Sequence, residues 1–144
     1  MKKTNILFLC TGNSCRSQMA EAWTNLLKGD LFSAYSAGVK PKGVDPRAVR
    51  AMAEAGVDIS TQRSKDIDAL GDLEFDYVVT LCDNAKEACP FFPANVRLIH
   101  RGFDDPPSLA VNAENEEEAM SHYRRVRDEI RAFVERFPDA LSAL

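Results

Sequence analysis

No apolar stretch in this 144-residue sequence approaches the roughly 20 residues that would cross a bilayer, so a membrane-spanning role is not expected. The run Ile6 to Cys10 is also too short for the apolar core of a secretion signal, despite the lysines before it. An excess of positive charge is missing too. Eighteen basic residues face 22 acidic ones, a net charge of −4, which leaves no broad basic field to neutralise a nucleic-acid backbone. There is no internal repeat, linker or low-complexity segment, and the length fits one domain, 1–144, with a sizeable core. Histidine is scarce: His100 and His122 read as structural or solvent-facing residues. The cysteines at 10, 15, 82 and 89 include no CxxC pair, which argues against zinc, and no metal or cofactor is expected. Four cysteines without a secretion signal point to a reducing compartment, and the cytoplasm is the expected location.

What is present is an alternation of short apolar runs and helical patterns. Strands are expected at Ile6–Cys10, Leu31–Ala37, Phe75–Leu81 and Val96–Ile99. Between them, 18–28 has helical spacing through Met19, Trp23, Leu26 and Leu27. A second helix over 46–55 shows Val49, Met52 and Ala53, with Asp45 as N-cap and Pro46 at its first position. A long final helix over about 114–137 carries Tyr123, Val126, Ile130, Phe133 and Val134 on one face, and 83–88 reads as a short helix or loop. This order predicts an α/β fold, a three-layer α/β/α arrangement around a central four-stranded parallel sheet. Ligands of such sheets bind beyond the carboxyl ends of the strands, where Cys10 and Cys82 both fall.

The segment Cys10-Thr11-Gly12-Asn13-Ser14-Cys15-Arg16-Ser17 joins the first strand to the first helix. Free N–H groups at a helix start bind tetrahedral anions, Gly12 is expected to let the loop curl, and no proline removes a donor. The same donors, with Arg16, are expected to hold Cys10 as a nucleophilic thiolate. A buried strand cysteine followed by an ordinary capped helix is the alternative.

Cys82 and Cys89 form a second group. On a helix they would lie roughly 10 Å apart along the axis. A disulfide needs Cα atoms within about 7 Å, so the segment is either an inert helix with two thiols or a redox switch that unwinds. Gly102-Phe103-Asp104-Asp105-Pro106 follows the fourth strand on the same sheet edge. Asp105, its direction set by Pro106, could protonate an oxygen leaving a tetrahedral centre; the two aspartates also fit a plain turn.

These stretches together resemble a known family. The loop 10–17 is similar to the phosphate-binding loop of low-molecular-weight protein tyrosine phosphatases. With Gln18-Met19-Ala20-Glu21, Tyr35-Ser36-Ala37-Gly38, Val78 to Cys82, Cys89-Pro90 and 102–106, the chain resembles the thioredoxin-coupled arsenate reductases built on that fold. The resemblance implies reduction of arsenate to arsenite by three cysteines. Cys10 would attack arsenate held by the loop and Arg16, while Asp105 protonates the leaving oxygen. A Cys10–Cys82 disulfide would then form and pass to Cys82–Cys89, for reduction by thioredoxin or a similar thiol partner. Ser17 would hydrogen-bond the Cys10 thiolate and Asn13 would hold the loop's shape. Phosphate or sulfate would compete as oxyanions, a weak phosphatase side activity would remain, and a monomer is the expected state. The alternative is a phosphatase, which needs neither Cys82 nor Cys89; those enzymes usually carry tyrosine after the Asp-Pro pair, where Pro107 stands here. Some such reductases bind a monovalent cation through residues matching Asn13, Glu21, Ser36 and an aspartate at the position of Lys65. Here the lysine is expected to pair with Glu21 instead, with no potassium requirement.

Overall fold

Residues Ile6 to Leu9 are apolar without interruption, the pattern of a parallel strand covered on both faces, and they lie at the centre of the sheet. The computed structural model describes residues 2–82 and 92–142. In chain order its elements are β1 (Thr4–Cys10), α1 (Arg16–Leu27), β2 (Phe32–Gly38) and α2 (Pro46–Glu54). A 3-10 turn (Ile67–Leu70), β3 (Tyr77–Thr80), β4 (Arg97–His100), α3 (Pro106–Ala110), α4 (Glu116–Glu135) and α5 (Asp139–Ser142) follow.

All four strands are parallel, in the order β2-β1-β3-β4, as the alternation of elements implied. The connection from β1 goes to one side and the chain returns to pair β3 on the other. That reversal opens a crevice at the carboxyl ends of β1 and β3, the place where open α/β sheets bind ligands. The register sets Cys10 opposite Gly38 and Leu9 opposite Thr80. Beyond the β3 ladder the Leu81 N–H still donates to the Leu9 carbonyl at 2.9 Å, which carries Cys82 to the same edge as Cys10.

Two clusters flank the sheet. On one face Ile6, Phe8, Val79 and Leu81 pack with Met19 and Trp23 of α1, with Met52 of α2, and with the buried stripe of α4. That stripe contains all five residues expected from its periodicity. Each fully buried large side chain contributes roughly 1.5–3 kcal/mol, so this face supplies most of the fold's stability. On the other face Leu7, Leu9, Cys10, Ala37, Phe75, Val78 and Cys82 pack together, covered by Ile67 and Leu70 of the 3-10 turn and by Phe92.

Some local expectations change. Leu26 is 60% exposed: the buried face of α1 runs through Met19, Ala20, Trp23 and Thr24 to Leu27, Asn25 bonds Ala34 of β2, and Leu26 turns to the solvent side of that last turn. On α2 the buried positions are Ala48, Ala51 and Met52, while Ala53 is exposed and Val49 half-buried. Asp45 caps α2 as expected, its Oδ1 accepting from the Arg47 N–H at 2.9 Å with Pro46 at the first turn. Helix α3 has no counterpart in the sequence-based expectation, because Asp-Asp-Pro-Pro reads first as a turn.

Candidate active site

The loop between β1 and α1 is defined by its carbonyls. The Cys10 oxygen accepts from the Val39 N–H at 3.4 Å, Thr11 O from Lys40 N–H at 2.9 Å and Gly12 O from Lys42 N–H at 2.9 Å. Gly12 O takes a second bond from the Ser64 hydroxyl at 2.9 Å, and Asn13 O accepts from Gln18 Nε2 at 3.0 Å. Asp45 N–H donates to Ser14 O at 2.9 Å, and the Met19 N–H to Cys15 O at 3.0 Å. With every carbonyl from 10 to 15 turned outward to a donor, the intervening N–H groups face the concave side. That is the arrangement of an anion-binding nest.

Asn13 sits at φ 47, the one positive-φ residue other than glycine among the described residues. It makes the turn that Gly12 was expected to make, since asparagine tolerates the left-handed region. Its side chain locks the turn: Nδ2 donates to Ser17 Oγ at 2.8 Å, and Oδ1 accepts from the Lys65 N–H at 2.9 Å. Ser17 Oγ accepts the Nδ2 bond, which leaves its O–H as a donor. Gly12 is needed less for its own backbone than for space, as a Cβ there would meet the stem of Lys42 at 3.2 Å. The stricter glycine is Gly38 at the end of β2, where a Cβ would fall 2.7 Å from Asn13 N and 2.9 Å from Gly12 C.

Arg16 is 7% exposed and joins the nest to the acid loop. Its Nη1 donates to Phe103 O at 2.9 Å, its Nη2 lies 3.5 Å from Asp105 Oδ1, and its buried Nε has no hydrogen-bond partner among the described residues. A desolvated guanidinium with an unused donor fits an oxyanion. Asp105 is half-buried at the N-terminus of α3, and Ser108 Oγ donates to its Oδ2 at 2.8 Å. The Phe103 ring anchors this loop to the core, 5.9 Å from the Phe133 ring, under the Arg101 guanidinium at 4.3 Å. Outside, Arg125 pairs with Asp104 at 3.1 Å.

Arg16, Cys82, Gly102, Phe103, Asp104 and Asp105 line one open cavity of about 390 Å³. A larger hollow of about 490 Å³ lies beside the 3-10 turn, but its charged lining residues, Asp68, Asp72 and Glu74, are all acidic and would repel an oxyanion. Cys82 packs in the same buried cluster as Cys10, and its Sγ lies 3.1 Å from Thr11 Oγ1. The structure thus brings together Cys10, Cys82, Arg16 and Asp105 with the loop residues Thr11 to Ser17; Cys89 lies outside the described residues. His100 stands further along the edge, with Nδ1 2.8 Å from Thr80 Oγ1.

The electrostatics correct one expectation. The Cys82 hydrogen bond and burial push the Cys10 thiol well above its ordinary value, outweighing Arg16 and the Thr11 N–H, which pull it down. Cys82 and burial thus work against the thiolate that the loop donors and Arg16 favour. Burial, then the neighbouring Asp45 carboxylate, raises Cys15 in the same way against the pull of Arg16.

Behind the loop, Glu21 Oε1 accepts from Ser36 Oγ at 2.7 Å and lies 4.0 Å from Lys65 Nζ, which also donates to Arg63 O at 2.8 Å. The expected pair is formed, so an ammonium already stands against the Glu21 carboxylate. These residues do not fit a bound potassium ion. Among the described residues no other group of His, Cys, Asp or Glu could hold a metal ion.

Residues that sequence patterns did not single out are Gln18, Val39, Lys40, Lys42, Ser64 and Ser108. Ser108 alone has a local signal, three residues beyond an N-cap aspartate; the others act across 5 to 52 residues or through their backbone.

The chain is similar to known proteins over nearly its whole length. An arsenate reductase of Bacillus licheniformis is 49% identical over 139 residues, covering 96% of this chain and 98% of that one. Arsenate reductase 2 of Staphylococcus haemolyticus is 46% identical over 137 residues, covering 95% and 98%. A solved arsenate reductase in the phosphate-binding state superposes with a TM-score of 0.72 at 28% identity, covering 92% of this chain and 94% of its own. The family model of low molecular weight phosphotyrosine protein phosphatases matches residues 5–143. With its nest, its arginine and its acid on one sheet edge, the chain belongs to the low molecular weight phosphotyrosine protein phosphatase family.

Proposed function

We propose that this protein reduces arsenate to arsenite, working as a single-domain monomer over 1–144 in the cytoplasm with thioredoxin or a similar dithiol as reductant. The observation that carries the proposal is the packing of Cys82 in one buried cluster with Cys10, its Sγ 3.1 Å from Thr11 Oγ1 at the lip of an anion nest. A phosphatase needs the nucleophile, the arginine and the acid, but has no use for a second thiol against the first. Relatives 45–49% identical bear the name arsenate reductase, which supports the same substrate.

In the proposed sequence the nest amides and Arg16 hold the oxyanion against Cys10. The bound arsenate dianion takes the Cys10 proton on one of its oxygens as the sulfur attacks arsenic, and Asp105 donates a second proton so that this oxygen leaves as water. Cys82, packed in the same cluster as Cys10 and close to the Thr11 hydroxyl, then gives up its proton to the Asp105 carboxylate or solvent and attacks the Cys10 sulfur. The S–S bond forms, the S–As bond breaks, and its electron pair stays on arsenic, which leaves as arsenite. Cys89 next attacks Cys82, moving the disulfide to Cys82–Cys89 for reduction by the partner. Phosphate and sulfate compete for the nest, and weak hydrolysis of aryl phosphates accompanies the main activity because the nest, Cys10 and Asp105 suffice for it.

Separate Cys82→Ser and Cys89→Ser variants test the relay. Thioredoxin-coupled arsenate turnover is expected to vanish in both, while hydrolysis of an aryl phosphate survives. Parent-rate arsenate reduction in both variants would overturn the relay.

A further inference from the structure

Cys15 poses a problem of selection. It is only five residues from Cys10, against 72 for Cys82, so loop-closure entropy alone favours Cys15 as the partner of an oxidised or arsenylated Cys10. Yet the structure sorts the thiols differently. Cys10 and Cys82 pack in one cluster, whereas Cys15, 2% exposed, packs in the cluster on the opposite face with Met19, Trp23 and Tyr123.

A short chain of bonds fixes that side of the loop. The Tyr123 hydroxyl, on α4, donates to Asp45 Oδ2 at 2.5 Å. Asp45 Oδ1 accepts from the Arg47 N–H at the start of α2, and the Asp45 N–H holds Ser14 O at 2.9 Å. The peptide leading into Cys15 is thereby tied to two helices on the far face. Tyr123 is almost fully buried, so its hydroxyl has a defined partner and no water to compete with it.

We propose that Tyr123 is a positioning residue: through Asp45 it keeps the Ser14–Cys15 end of the loop on the helical face, reserving the resolving step for Cys82. This rests on the relay proposed above. In the diverted step, the Cys15 sulfur gives up its proton to solvent and attacks the sulfur of arsenylated Cys10. An S–S bond forms, the S–As bond breaks, and arsenic takes the electron pair and leaves as arsenite. The product is a Cys10–Cys15 disulfide that bypasses Cys82.

The test is a single turnover with arsenate and no reductant, followed by alkylation, digestion and disulfide mapping by mass spectrometry. In Cys82→Ser arsenite release is expected to be blocked. Adding Tyr123→Phe, which keeps the ring and loses only the donor, is expected to raise release about tenfold, the scale of one hydrogen bond to a charged group, and to yield the Cys10–Cys15 peptide. Asp45→Ala in the Cys82→Ser background removes the acceptor instead and is expected to give the same bridge, so the test stands if either variant fails to fold. Folded double variants that release no more arsenite than Cys82→Ser and form no bridge would overturn the role of Tyr123 while leaving the relay intact. Parent-rate release in Cys82→Ser alone would sink the relay itself.

Discussion

The two loops that meet in the site are held in opposite ways. In 10–15 every carbonyl has an outside donor, and Gly12, Asn13, Cys15, Arg16 and Ser17 are buried. In 101–108 Gly102, Asp104 and Ser108 are exposed; the Arg101 and Phe103 N–H groups tie the start of the loop to Thr80 O and Leu81 O, Arg16 and the Phe103 ring hold its middle, and the Asp105 side chain is held by Arg16 and Ser108 with an open flank. The contrast fits the role proposed for each. Amides that stabilise an anion must be aligned before it arrives, because reorienting dipoles would cost what they gain. An acid that gives up a proton must recover one from water, so it needs an open flank and only its direction fixed.

Substitutions in each loop test this contrast. The largest effect is expected from Asp105→Asn, which removes the proton and keeps the shape. The rate of aryl phosphate hydrolysis should fall by about 10²–10⁴ while inorganic phosphate still binds, measured by kinetics and calorimetry. Next comes Gly38→Ala, which forces the loop backbone away from β2. Here phosphate affinity and turnover should fall together by roughly 10²-fold, with a lower melting temperature, since a shift of this order misplaces every amide. Retained phosphate affinity in this variant would mean that the nest is not rigid. Ser108→Ala is the mild counterpart in the open loop. It should reduce turnover by only about three- to tenfold, the scale of one exposed-side hydrogen bond, with unchanged phosphate binding. The smallest effect is none: exchanging sodium for potassium should move neither activity nor melting temperature, because Lys65 stands beside Glu21. A clear gain with potassium would contradict that placement.

What was legible in the sequence was local. The stretch from Cys10 to Arg16 carries nucleophile, cation and helix start within one turn of chain, and the parallel sheet brings Cys82 and Asp105 to the same edge by topology alone. The buried stripe of α4 followed from its 3.6-residue period. Tertiary exposure was not legible: Leu26 has the right spacing on α1 but faces solvent, while its neighbours Asn25 and Leu27 meet β2 and the core. Nor were the outside donors. Lys40 and Lys42 act through their N–H groups, which any residue but proline would supply, so their side-chain types carry no signal. Asn13 rather than Gly12 makes the turn because its amide satisfies Ser17 and Lys65 at once, a choice that only those partners reveal. The pull on the Cys10 thiol was only half legible for the same reason: the loop favours a thiolate, and the neighbour that opposes it, Cys82, follows β3 far along the chain.

A nest made of backbone amides reads outline and charge and is blind to the atom at the centre. Phosphate, far more abundant in most cells, fits the same cradle, so no tightening of the loop could favour arsenic without favouring its competitor equally. Discrimination must therefore come after capture. In the proposed relay a phosphorylated Cys10 would offer Cys82 a sulfur whose bond to phosphorus does not surrender its electrons, so that only water releases it, whereas an arsenylated one would yield to the thiol. The second thiol would then act as a sieve in time, sorting by reducibility what the loop admits by shape.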